Sequence, residues 1–315
     1  MTSISKPYET RVILRHIRYL LAVAEHRNFT RAADSLHISQ PALSQQIRQL
    51  ESEIGGQLFD RSGRVVQLTD FGSAYIEFAR RALLDLEAGQ RALHDVRDLS
   101  RGHLRLAFTP TFTEYLVSPV IDHFHASYPD ITIEMTEMSQ EGIEGGLNDD
   151  RLDLAIGFTD IRSDDIEPEA LFQEQITLVV SHDHPVAQQR SPITGRKLAA
   201  LPLALLSGQF VSRFFVDSYF ESHGFKPHVA MQANSISALL KIVRMGKVAT
   251  LLPGALQYEH RDLKYVTIEP KFPSRTVALL RRKGAYQTAT AAAFSATLRT
   301  LLETGALSSL TAAAR

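Results

Sequence analysis

The 315-residue chain contains no cysteine. That excludes disulfides and thiolate-ligated metals and suits a reducing compartment, so the cytoplasm is the expected location. No stretch approaches the roughly 18 uninterrupted apolar residues of a spanning helix, and even Lys197 to Leu206 is short and broken by Pro202. Lys6, Pro7, Glu9 and Arg11 leave the first dozen residues without the apolar centre of a signal peptide. Neither an integral membrane protein nor a secreted one is expected. A net charge of −1 gives no global sign of a polyanionic partner, so any nucleic-acid surface must be local.

Compact catalytic signatures are missing too. There is no Gly-x-Ser-x-Gly, no His-Glu-x-x-His and no phosphate-cradling glycine loop, and Gly246-Lys247 lacks P-loop spacing. A dispersed triad stays open. His182 and His184 flank a turn before Pro185, and His123 and His125 lack a matched pair elsewhere, so these read as surface histidines rather than ligands. Neither metal nor cofactor is expected.

What is present begins with a local charge asymmetry. From Ser35 to Leu50 there is no Asp or Glu, while Arg31, His37 and Arg48 lie in or beside that run. Apolar spacing from Leu14 to about Ile54 is helical, with Ile17, Leu20, Leu21 and Ala24 on one stripe and Leu43, Ile47, Leu50 and Ile54 on another. Thr30 is read as the cap of a helix whose paired Ala32 and Ala33 admit close packing. His37-Ile38-Ser39 makes a turn, Ser39 caps the next helix, and Pro41 is tolerated in its first turn. Gln40, Pro41, Ser44, Gln45 and Arg48 fall on the arc opposite the apolar one, and their hydrogen-bonding types suit major-groove base edges. An ordinary amphipathic hairpin with a solvated face fits this segment as well.

Leu58 to Leu68 reads as two short strands around Ser62-Gly63, a wing with Arg61 and Arg64 at its tip. Arg31, Arg61 and Arg64 are then the expected phosphate contacts, and the Gln40 to Arg48 face the expected base contacts. A long helix starts at Thr69-Asp70 with Phe71, Tyr75, Phe78, Ala82, Leu93 and Val96 on three- and four-residue steps, and ends by Ser100-Arg101-Gly102. That stripe fits dimerisation or packing within its own core.

Beyond Leu104 short apolar runs alternate with helical stretches, the pattern of parallel α/β units. Strands are expected at Leu104 to Phe108, Ile131 to Met135 and Leu152 to Phe158, with helices at Leu116 to Tyr128 and Gly142 to Asn148. A second lobe follows, with strands near Ile176 to Val180, Leu203 to Leu206, His228 to Gln232 and Val248 to Leu252. Its helices lie near Phe214 to Glu221 and Ile236 to Val243, and Thr276 to Leu280 plus Thr288 to Leu302 close the chain. The resulting division is an extension at 1–13, a helical winged unit at 14–70, a linker helix at 70–99 and a two-lobed unit at 100–315. Lobe I takes about 104–174 and 269–305, and lobe II about 175–268.

Phe29 to Ala33, Ile38 through Glu51, Leu58-Phe59-Asp60-Arg61 and Leu68 to Gly72 together resemble the LysR-type transcriptional regulators. Thr109 to Thr113, Glu137 to Glu141, Ala233 to Ala238 and Leu279 to Lys283 extend the similarity towards the branch regulating cyanate operons. The resemblance implies an all-α winged helix-turn-helix with a linker helix, then an α/β two-lobed effector domain like those of periplasmic binding proteins. It also implies a homodimer or homotetramer on promoter DNA that contacts RNA polymerase and activates an adjacent operon. Effector contact is carried onto Thr109, Thr111, Phe112, Ser139 and Ser207, with Asn234 and Ser235 at another helix start. No Arg or Lys lies in the first two of these loops, and Arg213 is the nearest cation in sequence, so a small anion such as cyanate is the expected effector. A solute-binding protein remains the reading from a different class.

Overall fold

In the computed structural model, which describes residues 14–63, 65–95 and 102–307, the chain separates into two units between Arg91 and Ala92. Expectations for residues 1–13, Arg64, Val96, Ser100-Arg101 and the chain end after Leu307 lie outside the described residues. No described helix is long and apolar enough to cross a membrane.

The first unit opens with helices α1 (Leu14–His26), α2 (Phe29–Ser35) and α3 (Gln40–Ile54). Asn28, not Thr30, caps α2. Its side chain accepts from the amides of Thr30 at 2.9 Å and Arg31 at 3.0 Å, because Asn28 is the residue with extended backbone one place before the first turn. His37 sits at φ 55°, a left-handed turn that swings the chain into α3, and Ser39 caps α3 through the Ala42 amide. Leu43, Ile47 and Leu50 are fully buried against Leu20, Val23, Ala32 and Ala33.

Strands β1 (Phe59–Asp60) and β2 (Gln67–Leu68) pair antiparallel as the wing, and α4 (Asp70–Asp95) follows. Four side-chain hydrogen bonds fasten this corner. Glu51 on α3 accepts from the amides of Leu58 and Phe59, and Thr69 donates to the Gln57 carbonyl while capping Gly72. A Cβ on Gly72 would lie 2.0 Å from the Leu58 carbonyl oxygen, so only glycine lets α4 start there.

The side of α4 that packs inward differs from the expected stripe. Ile76 and Ala79 are buried and Leu83 half-buried against the helical core, whereas Phe71 is 45% and Phe78 70% exposed. The 3.6-residue period admits both faces, and the core takes the one that carries the small residues Gly72 and Ala79.

In the second unit, β3 (Gly102–Phe108) leads into α5 (Pro110–Phe112), a wide π turn (Thr113–Val117) and α6 (Ser118–Ser127). Next come β4 (Ile131–Glu137), α7 (Gln140–Asn148), β5 (Leu154–Phe158) and β6 (Ile166–Glu174). The chain then enters lobe II with β7 (Ile176–Ser181), β8 (Ile193–Thr194), α8 (Gly195–Ala200), β9 (Leu203–Leu206) and α9 (Val211–Ser222). After β10 (Val229–Ala233), α10 (Ile236–Arg244), β11 (Thr250–Pro253), β12 (Leu263–Val266) and β13 (Ile268–Glu269) it returns through β14 (Arg275–Arg282) and α11 (Ala289–Glu303).

The lobe I sheet runs β4-β3-β5-β14-β6, with β3, β4 and β5 parallel and β14 antiparallel to both neighbours. Lobe II repeats this order as β10-β9-β11-β7-β12, the β9–β11 junction being a single parallel bridge at Leu203 and Ala249. The two lobes are therefore one topology used twice. Strands β6 and β12, and the short pair β8 and β13, are additions to the expected set. β6 is an edge strand with Pro168 and four glutamates and glutamines, a composition that protects an edge and masks its period. One apolar core runs from Phe112 and Phe158 in lobe I to Leu206, Leu252 and Ala255 in lobe II.

Candidate nucleic-acid interface and ligand cavity

On α3 the residues expected to read bases project away from the core. Gln40, Pro41, Gln45 and Arg48 are exposed and Ser44 is half-buried at the edge. None of the Gln40, Ser44, Gln45 and Arg48 side chains makes a hydrogen bond to another described residue, whereas their neighbours are engaged. Gln46 meets His16 at 3.2 Å and Arg15 at 3.3 Å, and Gln49 donates to Glu53 at 3.0 Å. The polar residues of this helix thus divide into a set that ties α3 to α1 or along itself and a set without side-chain bonds to described residues.

Ser39 spends its hydroxyl oxygen on the cap, and Pro41 lies in the first turn. Arg31 is exposed just past the α2 cap. Arg61 is corrected from its expected place at the wing tip. Its Nη2 donates to Glu51 at 2.8 Å and its guanidinium lies 4.9 Å from the Phe29 ring centroid, because the fully stapled Glu51 carboxylate draws it back to the wing base.

The second unit holds a small cavity between the lobes. Thr109, Pro110, Thr111, Ser139, Gln140 and Phe158 line it from lobe I, and Leu206, Phe210, Val211 and Ser212 from lobe II. Its free volume of about 10 Å³ is the scale of one water. Thr109 and Thr111 are buried and their hydroxyls lie 3.3 Å apart. Ser139 caps α7, accepting from the Gly142 amide at 3.2 Å. Gln140 is buried with both ends of its amide on the Phe158 backbone, at 3.0 and 3.2 Å. A Cβ at position 157 would come 2.6 Å from the Gln140 oxygen, so Gly157 permits this approach.

The other expected effector contacts lie elsewhere. Phe112 is fully buried behind the wall, against Phe158 at 5.3 Å and Tyr115 at 6.0 Å. The Ser207 hydroxyl is buried without a partner among the described residues and is not among the lining groups. Asn234 and Ser235 are exposed, and Ser235 serves as the cap of α10 through the Ala238 amide. A hydroxyl before a helix signals a cap whether or not a ligand sits nearby, and Ser235 is such a cap. Arg213 points its guanidinium to Asp217 at 2.8 Å and to the Leu206 carbonyl at 3.0 Å.

Sequence reading missed Ser212 and the cation behind it. Helix α9 starts at Val211, three residues before the apolar pattern suggested, and that brings Ser212 to the cavity wall. Arg275, 4% exposed, directs Nη1 and Nη2 to the Ser212 oxygen, each at 3.2 Å, and Nε to Glu174 at 2.5 Å. Its guanidinium carbon lies 4.1 Å from the Phe158 ring centroid and 5.4 Å from that of Phe215. Tyr115 donates to the other Glu174 oxygen, and burial, reinforced by the Glu174 charge, pushes the tyrosine well above its usual range so that it keeps its proton. Glu174 and Arg275 end and begin the strands that cross between the lobes. The signal available in sequence was an arginine opening the apolar run Thr276 to Leu280, where a buried charge needs a partner.

Two known families match this chain: "Bacterial regulatory helix-turn-helix protein, lysR family" over residues 14–73, and "LysR substrate binding domain" over residues 97–303. The hydrogen peroxide-inducible genes activator of Pectobacterium carotovorum subsp. carotovorum is 32% identical over 274 residues, covering 86% of this chain and 90% of its own. The RuBisCO operon transcriptional regulator of Allochromatium vinosum is 30% identical over 286 residues, covering 90% and 94%. Full-length OxyR from Pseudomonas aeruginosa shares the fold, with a TM-score of 0.66, 23% identity and coverage of 92% and 95%. Full-length CbnR, solved in complex with its target DNA, gives a TM-score of 0.54 at 26% identity, with coverage of 92% and 100%.

Proposed function

This chain belongs to the LysR family of DNA-binding transcriptional regulators, and from that premise we propose that it reads a promoter with α3 and answers to a small anion held between its C-terminal lobes. The observation that carries the reading half is the exposed, internally unengaged set Gln40, Ser44, Gln45 and Arg48 on a capped helix whose first turns hold no acid. Arg and Gln side chains there can pair bidentately with guanine and adenine edges. Exposed Arg31, with Arg64 of the wing, supplies phosphate attraction and its salt dependence.

One such helix spans only a few base pairs, so two copies on paired half-sites are required for a specific operator. The outward Phe71 and Phe78 on α4 supply an apolar face for that association. Effector binding then alters the contact of the assembly with DNA and RNA polymerase and activates an adjacent operon.

The effector we favour is cyanate or a monoanion of its size. Support comes from the hydroxyls of Thr109, Thr111, Ser139 and Ser212 in the cavity lining, which includes no Arg or Lys to hold a multiply charged ligand, and from the sequence resemblance to the cyanate-operon branch. Relatives named for hydrogen peroxide induction do not move this choice, since the chain has no cysteine and hence no thiol for peroxide to oxidise.

Footprinting of the DNA beside the gene, with and without cyanate, tests the proposal. A protected dyad whose extent changes with cyanate, and which is lost in the Gln45→Ala/Arg48→Ala double variant, is the expected result. No protected site, or protection unchanged by the double variant, would overturn it.

A further inference from the structure

We infer that Ser212 is a specificity-determining contact of the interlobe cavity, a hydroxyl that Arg275 locks as a hydrogen-bond donor so that the site selects an anion over a neutral molecule of equal size. This rests on the small-anion reading above and assigns the residues that carry it.

A guanidinium only donates hydrogen bonds, whereas a serine oxygen offers two acceptor lone pairs and one proton. Arg275 brings two N–H groups to the Ser212 oxygen, at 3.2 Å each, and so occupies both lone pairs. The Ser212 proton must then point away from the guanidinium, and the cavity is what Ser212 lines. Arg275 itself cannot rotate to release the serine. Its Nε is on Glu174, its faces lie against the rings of Phe158 and Phe215, and the second Glu174 oxygen is taken by Tyr115.

The rest of the lining adds further hydroxyl protons. The Ser139 oxygen accepts from the Gly142 amide and keeps its proton to donate, with one lone pair to spare. Thr109 and Thr111 share one hydrogen bond between two hydroxyls, so one proton is left over. Gln140 has an acceptor and a donor, but both are satisfied by the Phe158 backbone. Val211 and Ser212 also belong to the first turn of a 12-residue helix that has no side-chain cap, so its amides face the same region. Both lone pairs of Ser212 are consumed internally and hydroxyl protons remain to donate, although the Arg275–Glu174 pair leaves no net charge at the wall. Such a site favours anions through short-range hydrogen bonds, and charge-assisted ones are about twice as strong as neutral ones.

The test is calorimetric titration of the full-length protein with three linear probes: cyanate, azide, which does not react with amines, and cyanamide, the neutral isostere of cyanate. Wild type is expected to bind both anions more tightly than cyanamide. Ser212→Ala should weaken the anions on the order of 10- to 100-fold, the range for one hydrogen bond to a charged group, with little change for cyanamide. Ser212→Thr, which keeps the hydroxyl, should retain most of the affinity. Arg275→Lys offers fewer directed donors to Ser212 and should shrink the preference for anion over cyanamide; thermal melting shows whether that variant is folded, and Ser212→Ala decides the matter if it is not. Anion binding by Ser212→Ala equal to that of wild type overturns this inference alone. Wild type that binds none of the three probes overturns the small-anion reading, and this inference falls with it.

Discussion

The α3 surface and the interlobe cavity both depend on side-chain hydrogen-bonding groups, yet they hold those groups in opposite ways. On α3, Gln45 and Arg48 are exposed and bonded to no described residue, while a separate set, Gln46, Gln49 and Glu51, carries the structural contacts. At the cavity, Thr111, Gln140 and Arg275 are buried and internally bonded, and Ser212, which would face a ligand, is also the group through which Arg275 ties lobe II to lobe I. Water already solvates an exposed reader, so its folding does not depend on it. A buried sensor has no such alternative, and each of its polar atoms must be satisfied by the protein or the ligand.

The largest expected effect lies on the buried side. Arg275→Met leaves the Glu174 carboxylate 3% exposed with only Tyr115 to satisfy it, and removing one partner of a buried pair costs about 3–5 kcal/mol. Urea unfolding followed through the transition of the C-terminal unit measures this. Adding Glu174→Gln to Arg275→Met should recover part of the loss, because the uncompensated charge is gone. A loss under about 1 kcal/mol in the single variant would show that the pair is solvated after all and would erase the contrast with α3.

The same contrast explains what could be read from sequence. The DNA-reading unit is assembled from contacts close along the chain: Ser39 to Ala42, Glu51 to Leu58 and Phe59, Thr69 to Gly72. Each leaves a short motif, and the helix, turn, helix and wing were all legible for that reason. The cavity draws on positions 109, 139, 212 and 275, and no local period connects them. Hydroxyls before helices led to Thr109, Thr111 and Ser139, which line the cavity, and the same signal led to Asn234 and Ser235, which are exposed, with Ser235 capping α10. Arg61 erred the other way. A basic residue beside a turn suggests a tip, and only the fold shows that Glu51 stands within 2.8 Å of it. The repeat of one sheet order in both lobes was visible as a similar sequence of elements, although the edge strands β6 and β12 were hidden by their polar, irregular patterns.

A smaller effect sharpens the correction at the start of α2. Asn28→Ala removes the acceptor of two orphan amides, those of Thr30 and Arg31, and should cost the first unit about 0.5–2 kcal/mol. Thr30→Ala should cost clearly less, since the Thr30 side chain makes no hydrogen bond to a described residue. Parallel denaturation of the two variants by circular dichroism decides the order, and a larger loss for Thr30→Ala would return the cap to the residue that sequence alone suggested.

The smallest effect on folding is expected where the effect on function is large. Gln45→Ala and Arg48→Ala replace exposed side chains without described partners, so each should leave the melting of the first unit within about 0.5 kcal/mol of wild type. Each should nonetheless weaken operator binding by about 1–3 kcal/mol and relax base preference at one position of the half-site. Melting curves beside binding titrations against single-base operator variants separate the two outcomes. Loss of stability on the scale of the affinity loss would mean that α3 reads DNA with residues it also needs to fold, as the cavity does with Arg275. Unchanged stability with relaxed base preference would instead establish that this protein keeps its reader apart from its scaffold while building its sensor into its core.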